Sequence, residues 1–404
     1  MVKVAILGYG NIGSGVVEVL RRNKEHVTKR AGKEIEVVCV LDKREFPGDF
    51  MENKVVHTID EIINNPEIDI VVETMGGTTP AYEYVKASLE AGKHVVTSNK
   101  ELVAKHGAEL LELAKNKNIN FLFEASVGGG IPIIRPLNQS VTSDEIYEIT
   151  GILNGTTNYM LTKMEKEGTS FHTVLKEAQQ KGYAEQNPEA DVEGYDACRK
   201  IAILSSLAFG CQVDYNDIYT EGITNISDTD MEYAKKLGLT IKLFGTSKKV
   251  DNKVYAMVSP VMVGDEHPLK NVNDVMNGIL VRGDVIGDLM FYGAGAGKLP
   301  TASAVVADII DEVKHLDRNI TIQWSKNKLK LGDFKNSKKQ FFVRVAGNVD
   351  ERKNEMEKLF GVEHLVTIGK EDEFGFITCL LSEGEFEEKA KHCDGMITRI
   401  RLTQ

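Results

Sequence analysis

The chain has 404 residues, of which 42% are hydrophobic and 27% are charged, and its formal net charge is −11. This length predicts about two or three domains, and an acidic chain without a lysine- or arginine-rich stripe argues against nucleic acid as a partner. Five cysteines without CxxC spacing, and no signal-like or membrane-length apolar segment, predict a cytoplasmic protein with reduced thiols and no membrane partner.

The first third of the chain alternates apolar runs of strand length with segments of helical spacing. Strands are predicted at Val2–Leu7, Ile35–Leu41, Ile68–Thr74, His94–Thr97 and Asn120–Glu124. Helices are predicted between them at Ile12–Arg22, Ile59–Ile63, Pro80–Ala91 and Ala104–Lys115. Strands without polar alternation, separated by helices, indicate a parallel sheet covered on both faces. We therefore predict an α/β, doubly wound Rossmann domain over residues 1–130, completed by a helix that returns at about 301–318.

After about residue 130 the regular alternation ends. Helices are predicted at Tyr159–Gly168, Phe171–Gly182, Asp196–Gly210 and Met231–Leu239. Strands are predicted at Lys242–Thr246, Val254–Val263, Ile279–Asp284 and Asp288–Tyr292. This mixture predicts an α+β substrate and catalytic domain over residues 131–300.

The last part of the chain follows a charged stretch, 319–339, that predicts a linker. Strands are predicted at Phe341–Ala346, Leu365–Gly369, Gly375–Leu381 and Met396–Leu402, with helices at Glu351–Leu359 and Glu385–His392. The order βαββαβ predicts a ferredoxin-like domain over residues 340–404.

A glycine-rich loop, Gly8–Gly13, follows the first strand and opens the first helix. Gly8 allows a tight turn, Gly10 allows the backbone to approach a pyrophosphate, and Gly13 allows close helix–sheet packing. Asp42 ends the second strand, where a carboxylate binds the adenosine ribose. Because Lys43 and Arg44 follow it, NAD and NADP both stay open as the cofactor.

Two further motifs, Glu73–Gly77 and Thr97–Lys100, end the third and fourth strands. Ligands of open α/β sheets bind at the carboxyl ends of strands, so both motifs are expected near the cofactor. Lys100 can reach the substrate or the nicotinamide from this rim, and a surface lysine is the alternative.

The segment Glu124–Ile131 contains three consecutive glycines, which predict a backbone that approaches something closely. A hard cation held by carbonyl oxygens and Glu124 is one interpretation, and a hinge between domains is the other. The turn Asn154–Asn158 is expected to cap a helix through Thr156 or Thr157. The turn Gly293–Gly297 is expected to meet the cofactor. A purely structural turn is the alternative for both.

The region Gly182–Lys200 combines an acidic loop with the start of an apolar helix. Asp196 and Lys200 are four residues apart and share one helical face. Since the residues that follow are almost wholly apolar, the helix is expected to be buried. Buried charges are costly, so those at its start are expected to have a role in catalysis. With Glu185 and Asp191 the pair forms a constellation of acid/base character, in which a desolvated lysine donates or accepts a proton.

Together these motifs resemble the homoserine dehydrogenase family, from Met1 to about His315. The most specific segment is Ala178-x-x-x-Gly182-Tyr-Ala184, followed by Asn187-Pro188-x-x-Asp191-Val-x-Gly194-x-Asp196-x-x-x-Lys200. The resemblance implies NAD(P)H-dependent, reversible reduction of L-aspartate 4-semialdehyde to L-homoserine, in threonine, methionine and isoleucine biosynthesis.

For the site, the resemblance implies that Lys200 protonates the carbonyl oxygen as hydride arrives. Asp196 and Glu185 would hold the substrate's amino and hydroxyl groups, and Asp191 and Lys100 would support its orientation and charge. With the motifs above, the expected cofactor contacts are Gly8, Gly10, Asn11, Ile12, Gly13, Asp42, Thr74, Ser98, Lys100, Gly182, Glu185 and Gly295. The resemblance also implies a homodimer built through the middle domain, and a monovalent cation, Na⁺ or K⁺, held by Glu124, Val127, Gly129 and Ile131.

The C-terminal unit resembles an ACT regulatory domain, which implies an amino-acid effector. The acidic–Pro–Gly turn that usually follows the first strand of such domains is replaced by Ala346-Gly-Asn-Val-Asp350. A dimerisation module without a ligand is therefore the alternative interpretation.

Two rival functions explain the sequence less well. An aspartate semialdehyde dehydrogenase needs a cysteine nucleophile, and Cys198 lies in the helix beside Lys200 without a nearby histidine base. A nucleotide or amino-acid sensor would keep the glycines but would not need the Asp196–Lys200 pair.

Overall fold

A computed structural model describes residues 1–403 of the chain. The α-helices are α1 (Asn11–Arg22), α2 (Lys24–Ala31), α3 (Asp60–Ile63), α4 (Ala81–Glu90), α5 (Lys100–Asn116), α6 (Gly155–Glu167), α7 (Phe171–Gln180), α8 (Glu189–Val192), α9 (Tyr195–Phe209), α10 (Asp228–Lys236), α11 (Lys298–Lys314), α12 (Val349–Phe360) and α13 (Glu383–Ala390). Among these described residues, no helix is both long enough and apolar enough to cross a membrane.

The strands lie between the helices along the whole chain. They are β1 (Val2–Leu7), β2 (Ile35–Leu41), β3 (Val55–Val56), β4 (Ile70–Glu73), β5 (His94–Thr97), β6 (Phe121–Leu122), β7 (Ile146–Ile152), β8 (Cys211–Gln212), β9 (Tyr219–Thr220), β10 (Thr240–Val250), β11 (Lys253–Val263), β12 (Met276–Gly283), β13 (Gly287–Ala294), β14 (Ser325–Lys328), β15 (Lys338–Ala346), β16 (Val362–Val366), β17 (Glu373–Thr378), β18 (Leu381–Ser382) and β19 (Met396–Thr403). These elements form two compact units. The first comprises Met1–Asp144, Ala202–Tyr215 and Gly293–Leu329, and the second comprises Glu145–Ile201, Asn216–Tyr292 and the chain from Lys330 onwards.

The first unit is built on a parallel sheet with the strand order β3-β2-β1-β4-β5-β6. This is the order of dinucleotide-binding sheets, in which the winding reverses between β1 and β4. Leu7 pairs with Glu73 at the carboxyl ends of these two strands, so the loops that follow them start side by side. The sequence prediction of a doubly wound parallel sheet is confirmed.

Helix α11 belongs to the first unit although it lies late in the chain. It begins at Lys298, close to the predicted start, and its apolar face includes Val305 and Ile309. These side chains share a hydrophobic core with Val4 and Ile6 of β1. The helix therefore contributes to the core under the dinucleotide-binding sheet.

The second unit contains one continuous sheet with the order β13-β12-β7-β10-β11-β19-β15-β17-β16. Parallel pairing of β11 with β19, in which Val261 lies opposite Arg401, joins the middle strands to the C-terminal ones. The division into domains 131–300 and 340–404 stays a prediction, because both segments share this sheet. Such a junction has no sequence signature, since strand edges pair through backbone groups that every residue carries.

The C-terminal part has the predicted βαββαβ order, and its main strands lie in the order β19-β15-β17-β16. One face of these strands packs on α12 and α13 through a core rich in phenylalanine: Phe341, Phe360, Phe374, Phe376 and Phe386. On the other face, Phe342 contacts Tyr233 of α10, and Arg344 forms an ion pair of 2.7 Å with Asp230. α10 therefore packs against the C-terminal strands within the second unit.

The structure differs from the sequence predictions at several elements, among them α5, α2 and the segment 319–339. α5 begins at Lys100 rather than Ala104, because Asn99 caps it by accepting the N–H of Leu102. α2 was not predicted, since its mostly charged sequence offers only two buried residues. The residues 319–339, predicted as a linker, contain β14, which pairs with β8.

Candidate active site

The second unit holds a buried acid–base pair at the start of α9. Nζ of Lys200 lies 2.9 Å from Oδ2 of Asp196, and the two side chains are only 10% and 6% exposed. Lys200 also donates a hydrogen bond of 2.8 Å to the carbonyl oxygen of Leu153, just after β7. Such charges are tolerated inside a protein only when they are paired and hydrogen-bonded, as they are here. The burial expected from the apolar continuation of this helix is observed.

Asn154 links the pair to a third charged group. Its Nδ2 donates to Asp191 at 2.8 Å and to Asp196 at 2.9 Å. Its Oδ1 accepts the N–H of Thr157 and caps α6, so the expectation that Thr156 or Thr157 caps this helix is wrong. The sequence signal for the cap was available, because asparagine is among the preferred N-cap residues. The bridge between the two carboxylates had no such signal.

The pKa of Asp191 reflects its surroundings in this cluster. Burial raises the pKa of Asp191, as does the nearby carboxylate of Asp196, whereas Asn154 and Lys200 lower it, and the net shift is upward. A cationic group of a ligand bound beside Asp191 would favour its charged form.

Glu185 and Gly182 lie on the exposed loop that follows α7. The carbonyl oxygen of Glu185 accepts a hydrogen bond of 3.1 Å from Gln179, while its carboxylate has no hydrogen bond or ion pair with the other described residues. Gly182 has a φ of +74°, which a glycine adopts without strain. The role of Glu185 in substrate binding stays a prediction.

In the first unit, the loop Gly8–Gly13 fits a dinucleotide phosphate. A Cβ on Gly8 would press on Met75, and a Cβ on Gly13 would collide with the carbonyl oxygen of Gly8. A Cβ on Gly10 would instead point into open space, and no side chain caps the start of α1. The first N–H groups of this helix, from Asn11 onwards, are thus left for an anion.

Asp42 follows β2 and is held on both oxygens by Arg44. The two nitrogens Nε and Nη2 donate at 3.0 and 2.9 Å, and the N–H of Tyr9 donates at 2.9 Å. The side-chain hydrogen bonds of Arg44 hold the pKa of Asp42 far below its usual value. The carboxylate can serve the ribose hydroxyls of NAD, and the exposed guanidinium can serve the phosphate of NADP.

Glu73 is buried at the end of β4 and organises the neighbouring loops. Its carboxylate accepts the hydroxyl of Thr97 at 2.6 Å and the N–H of Met75 at 2.7 Å. Burial raises its pKa, although these donors lower it. Asn99 adds a hydrogen bond of 2.6 Å to the carbonyl oxygen of Gly77. The loops after β4 and β5 are therefore tied together.

The expected contacts Thr74, Ser98 and Lys100 lie at the ends of these same strands. The hydroxyl of Thr74 donates to the carbonyl oxygen of Gly8 at 2.7 Å, which supports the glycine loop. The N–H of Ser98 donates to the carbonyl oxygen of Glu73 at 3.3 Å, and Lys100 is the partly buried first residue of α5. These positions match the edge of the sheet where ligands bind.

The carboxylate of Glu124 is held by backbone donors. Both oxygens are taken by backbone N–H groups at 2.6–2.8 Å, donated by Ile133, Ile134 and Arg135. These donors open a helical turn and need acceptors, and the role of Glu124 as a ligand of a monovalent cation stays a prediction. No hydrogen bond of the described residues ends on the other predicted ligand atoms, the carbonyl oxygens of Val127, Gly129 and Ile131.

Two of the three consecutive glycines, Gly129 and Gly130, pack against the turn that contains Gly295. A Cβ on Gly129 would collide with the carbonyl oxygen of Gly295, and the N–H of Gly130 donates to Ala294 at 3.0 Å. Gly129 also has a φ of +56°. These glycines thus permit a backbone-to-backbone approach within the first unit.

Comparison with known proteins identifies relatives over most of the chain. Residues 132–310 match the profile "Homoserine dehydrogenase", and residues 8–124 match "Homoserine dehydrogenase, NAD binding domain". Homoserine dehydrogenase of Pseudomonas aeruginosa is 44% identical over 314 residues, which is 78% of this chain and 72% of that protein. The crystal structure of a homoserine dehydrogenase from Thiobacillus denitrificans superposes with a TM-score of 0.93 at 35% identity, covering 100% of this chain and 98% of that one. A hyperthermophilic archaeal homoserine dehydrogenase in complex with NADPH has a TM-score of 0.65 at 27% identity, covering 77% and 97%.

Proposed function

The chain belongs to the homoserine dehydrogenase family, and we propose that Lys200 carries the proton transfer of its reaction. The protein is an NAD(P)-dependent oxidoreductase that acts on a CH–OH group and interconverts L-homoserine and L-aspartate 4-semialdehyde, a step of amino-acid biosynthesis. The nicotinamide supplies or accepts the hydride when it is bound. What remains for this chain is to hold the substrate and to move one proton.

The buried pair of Lys200 and Asp196 is the observation that carries the proposal. An ammonium group donates a proton to the aldehyde oxygen in the reductive direction and, once neutral, accepts the hydroxyl proton in the other. Its charge also stabilises the alkoxide that develops when hydride adds to the carbonyl carbon. Asp196 and the carbonyl oxygen of Leu153 orient the ammonium, with distances of 2.9 and 2.8 Å.

The substrate's own ammonium group is proposed to pair with Asp191 and Asp196. Asn154 joins the two carboxylates, and a cationic ligand beside them favours the charged form of Asp191, whose pKa is raised in the cluster. Glu185 extends this negative surface from its exposed loop, and Lys100 is proposed to support the substrate's carboxylate. A short amino acid with a distal hydroxyl fits these requirements.

The cofactor is proposed to bind at the carboxyl ends of β1 and β4. The N-terminus of α1 holds the pyrophosphate, the Asp42–Arg44 pair holds the adenosine ribose, and Thr74 and Ser98 line the strand ends. Gly182, Glu185 and Gly295 are proposed to meet the nicotinamide half. This arrangement suits NAD and NADP alike.

Further features of the family are proposed for this chain on narrower grounds. The carboxylate of Glu124 and the carbonyl oxygens of Val127, Gly129 and Ile131 suit a monovalent cation, since hard cations prefer oxygen ligands. A homodimer through the middle strands, an amino-acid effector at the ACT-like C-terminal part, and a cytoplasmic location complete the proposal. Titration of activity with L-threonine and L-methionine tests the effector, and a lack of response favours a structural module.

The reaction is tested by following reduced nicotinamide formation with L-homoserine and either dinucleotide. L-serine is the matched control, because it carries the same ammonium and carboxylate with the hydroxyl one carbon closer. We expect turnover with L-homoserine and little with L-serine. Equal rates with both would contradict the proposed substrate site.

A further inference from the structure

Two arginines of the last strand converge on one partly buried carboxylate of the second unit. Arg401 and Arg399 of β19 donate to the same oxygen, Oε2 of Glu221, at 2.7 and 2.9 Å. The hydroxyl of Tyr219 donates to it as well, at 3.0 Å. Arg401 is fully buried and also binds Glu383 at 2.9 Å. Burial raises the pKa of Glu221, but the two arginines outweigh burial, so its pKa is lowered and the group is ionised.

The backbone next to Glu221 lies directly against the turn that carries Asp191. The N–H of Ile223 donates to the carbonyl oxygen of Val192 at 2.8 Å. Gly222 is packed so closely that a Cβ would collide with this same carbonyl oxygen. The contact therefore reaches the residue adjacent to Asp191 in the chain.

The segment around Glu221 is also fixed from its other side. The N–H of Glu221 donates to the carbonyl oxygen of Val258 in β11 at 2.8 Å. A Cβ on Gly194, which ends the turn after α8, would stand 3.2 Å from Cγ2 of Thr220 and 3.1 Å from Cγ1 of Val258. The turn 191–194 thus packs against residues 220–223. These residues are in turn held by β11 and by the arginines of β19.

We propose that Glu221 is a positioning residue that, held by Arg399 and Arg401, keeps Asp191 in place for the substrate. The inference rests on the proposed role of Asp191 in substrate binding. The match to the family profile ends at residue 310, so the two arginines come from outside it. The last strand of the chain therefore supports the substrate site of its own second unit.

The arrangement separates substrate binding from proton transfer. Lys200 and Asp196 lie on α9 and are held by Leu153 and Asn154, not by Glu221. Loosening residues 220–223 displaces Asp191 and leaves that pair in place. We therefore expect KM for homoserine to change more than kcat.

Glu221→Gln and Arg399→Met test the inference. Glu221→Gln keeps the shape and removes the charge, and Arg399→Met removes one guanidinium while the buried Arg401–Glu383 pair stays intact. Each should raise KM for L-homoserine by roughly ten- to a hundredfold, because small displacements of positioning groups have effects of that order. KM for the dinucleotide should not change. Arg399→Lys retains a cation on the strand and should bring KM back toward the unmodified value.

Arg352→Met is the matched control. Arg352 lies in the same C-terminal part, is similarly exposed and forms an ion pair with Glu355, away from Glu221. It should leave KM unchanged. Circular dichroism and thermal unfolding verify that each variant is folded, and Arg399→Lys provides a second, milder variant.

Asp191→Asn separates failure of this inference from failure of the proposed substrate site. If Asp191→Asn raises KM but Glu221→Gln and Arg399→Met do not, the positioning role of Glu221 is overturned. If Asp191→Asn itself leaves KM unchanged, the proposed substrate site is overturned, and the positioning role with it. A parallel rise in all three, with Arg352→Met unaffected, supports the inference.

Discussion

Lys200 and Asp196 lie one helical turn apart in α9, with 2.9 Å between ammonium and carboxylate and almost no exposure to solvent. On a helix surface such a pair contributes about 0.3–0.5 kcal/mol and is screened by salt. Burying such a pair inside the protein costs free energy of desolvation. A chemical task, rather than a gain in stability, therefore explains its presence. Asn154, by bridging Asp196 to Asp191, extends the pair into a site for a charged ligand.

Lys200→Ala should lower turnover by about 10²- to 10⁴-fold, the range that a general acid–base group contributes. Dinucleotide binding should persist, because the glycine loop is unchanged. Steady-state rates with L-homoserine and a fluorescence titration of the reduced dinucleotide measure both effects. Lys176→Ala, an exposed lysine of α7, is the control. Near-normal turnover of Lys200→Ala would refute the mechanism.

Asn154→Ser should raise KM for L-homoserine by about tenfold or more, since hydrogen bonds to charged groups contribute about 1.5–3 kcal/mol. Serine can still cap α6, so the thermal midpoint should change little. Asn154→Ala, which also removes the cap, should lose about 1 kcal/mol of stability in addition. An unchanged KM in both variants would show that the bridge does not shape the substrate site.

Gly10→Ala and Gly13→Ala should have different consequences. A methyl group on Gly10 meets no atom within 4 Å, so this variant should fold normally but bind dinucleotide at least about tenfold more weakly, about 1.4 kcal/mol. Gly13→Ala should lose stability too, because its Cβ collides with Gly8. Thermal unfolding and dinucleotide titration separate the two effects. Normal affinity in Gly10→Ala would rule out a pyrophosphate at this loop.

Arg44→Ala should shift the cofactor preference toward NAD. Without the guanidinium, the carboxylate of Asp42 repels a 2′-phosphate, so the NADP-to-NAD ratio of kcat/KM should fall about tenfold or more. Lys43→Ala, its exposed neighbour, should have a smaller effect. A ratio that rises in Arg44→Ala would contradict the assigned position of the ribose.

Glu312→Gln should stabilise the protein at alkaline pH. Burial and the carboxylates of Asp308 and Asp311 raise the pKa of Glu312 well above its usual value, and both its oxygens lack hydrogen-bond partners among the described residues. When folding raises the pKa of an acid, its contribution to stability is complete at pH values below the unfolded-state pKa. This contribution is lost by about 1.4 kcal/mol per pH unit as the pH rises toward the folded-state pKa. Glutamine cannot ionise, so this slope should vanish.

Urea unfolding of Glu312→Gln at mildly acidic and alkaline pH measures the difference in stability. Glu90→Gln, on the exposed side of α4, is the control and should follow the unmodified protein. A Glu312→Gln variant whose stability falls with pH as steeply as the unmodified protein would refute the assignment.

The fold of the first unit was predictable because its strands are buried on both faces. β1, β2, β4 and β5 are apolar runs interrupted by helices, a pattern that few other arrangements produce. The glycine loop was equally readable, since Gly8 and Gly13 are required by local geometry. By contrast, α2 was missed, because its stability comes from packing against the rest of the unit rather than from an apolar stripe of its own.

The partners of several candidate residues were not predictable, in contrast to the Asp196–Lys200 pair. Glu124 is predicted as a cation ligand, and the three backbone N–H groups of residues 133–135 that donate to its carboxylate have no signal in the sequence. Asp42 is predicted to bind the ribose, with Lys43 and Arg44 following it, and the structure adds that Arg44 holds both oxygens of its carboxylate. These partners depend on where the backbone turns after a strand, which side-chain periodicity does not encode.

The order of residues alone determined which segments become strands and helices and which family motifs this chain carries, because burial and turn geometry act over a few neighbouring residues. Only the tertiary structure decided that Asn154 joins Asp191 to Asp196 and that Arg399 and Arg401 reach Glu221. Those contacts join residues about 40 to 180 positions apart in the chain. Such long-range contacts depend on how whole helices and strands pack together, and no local sequence pattern predicts them.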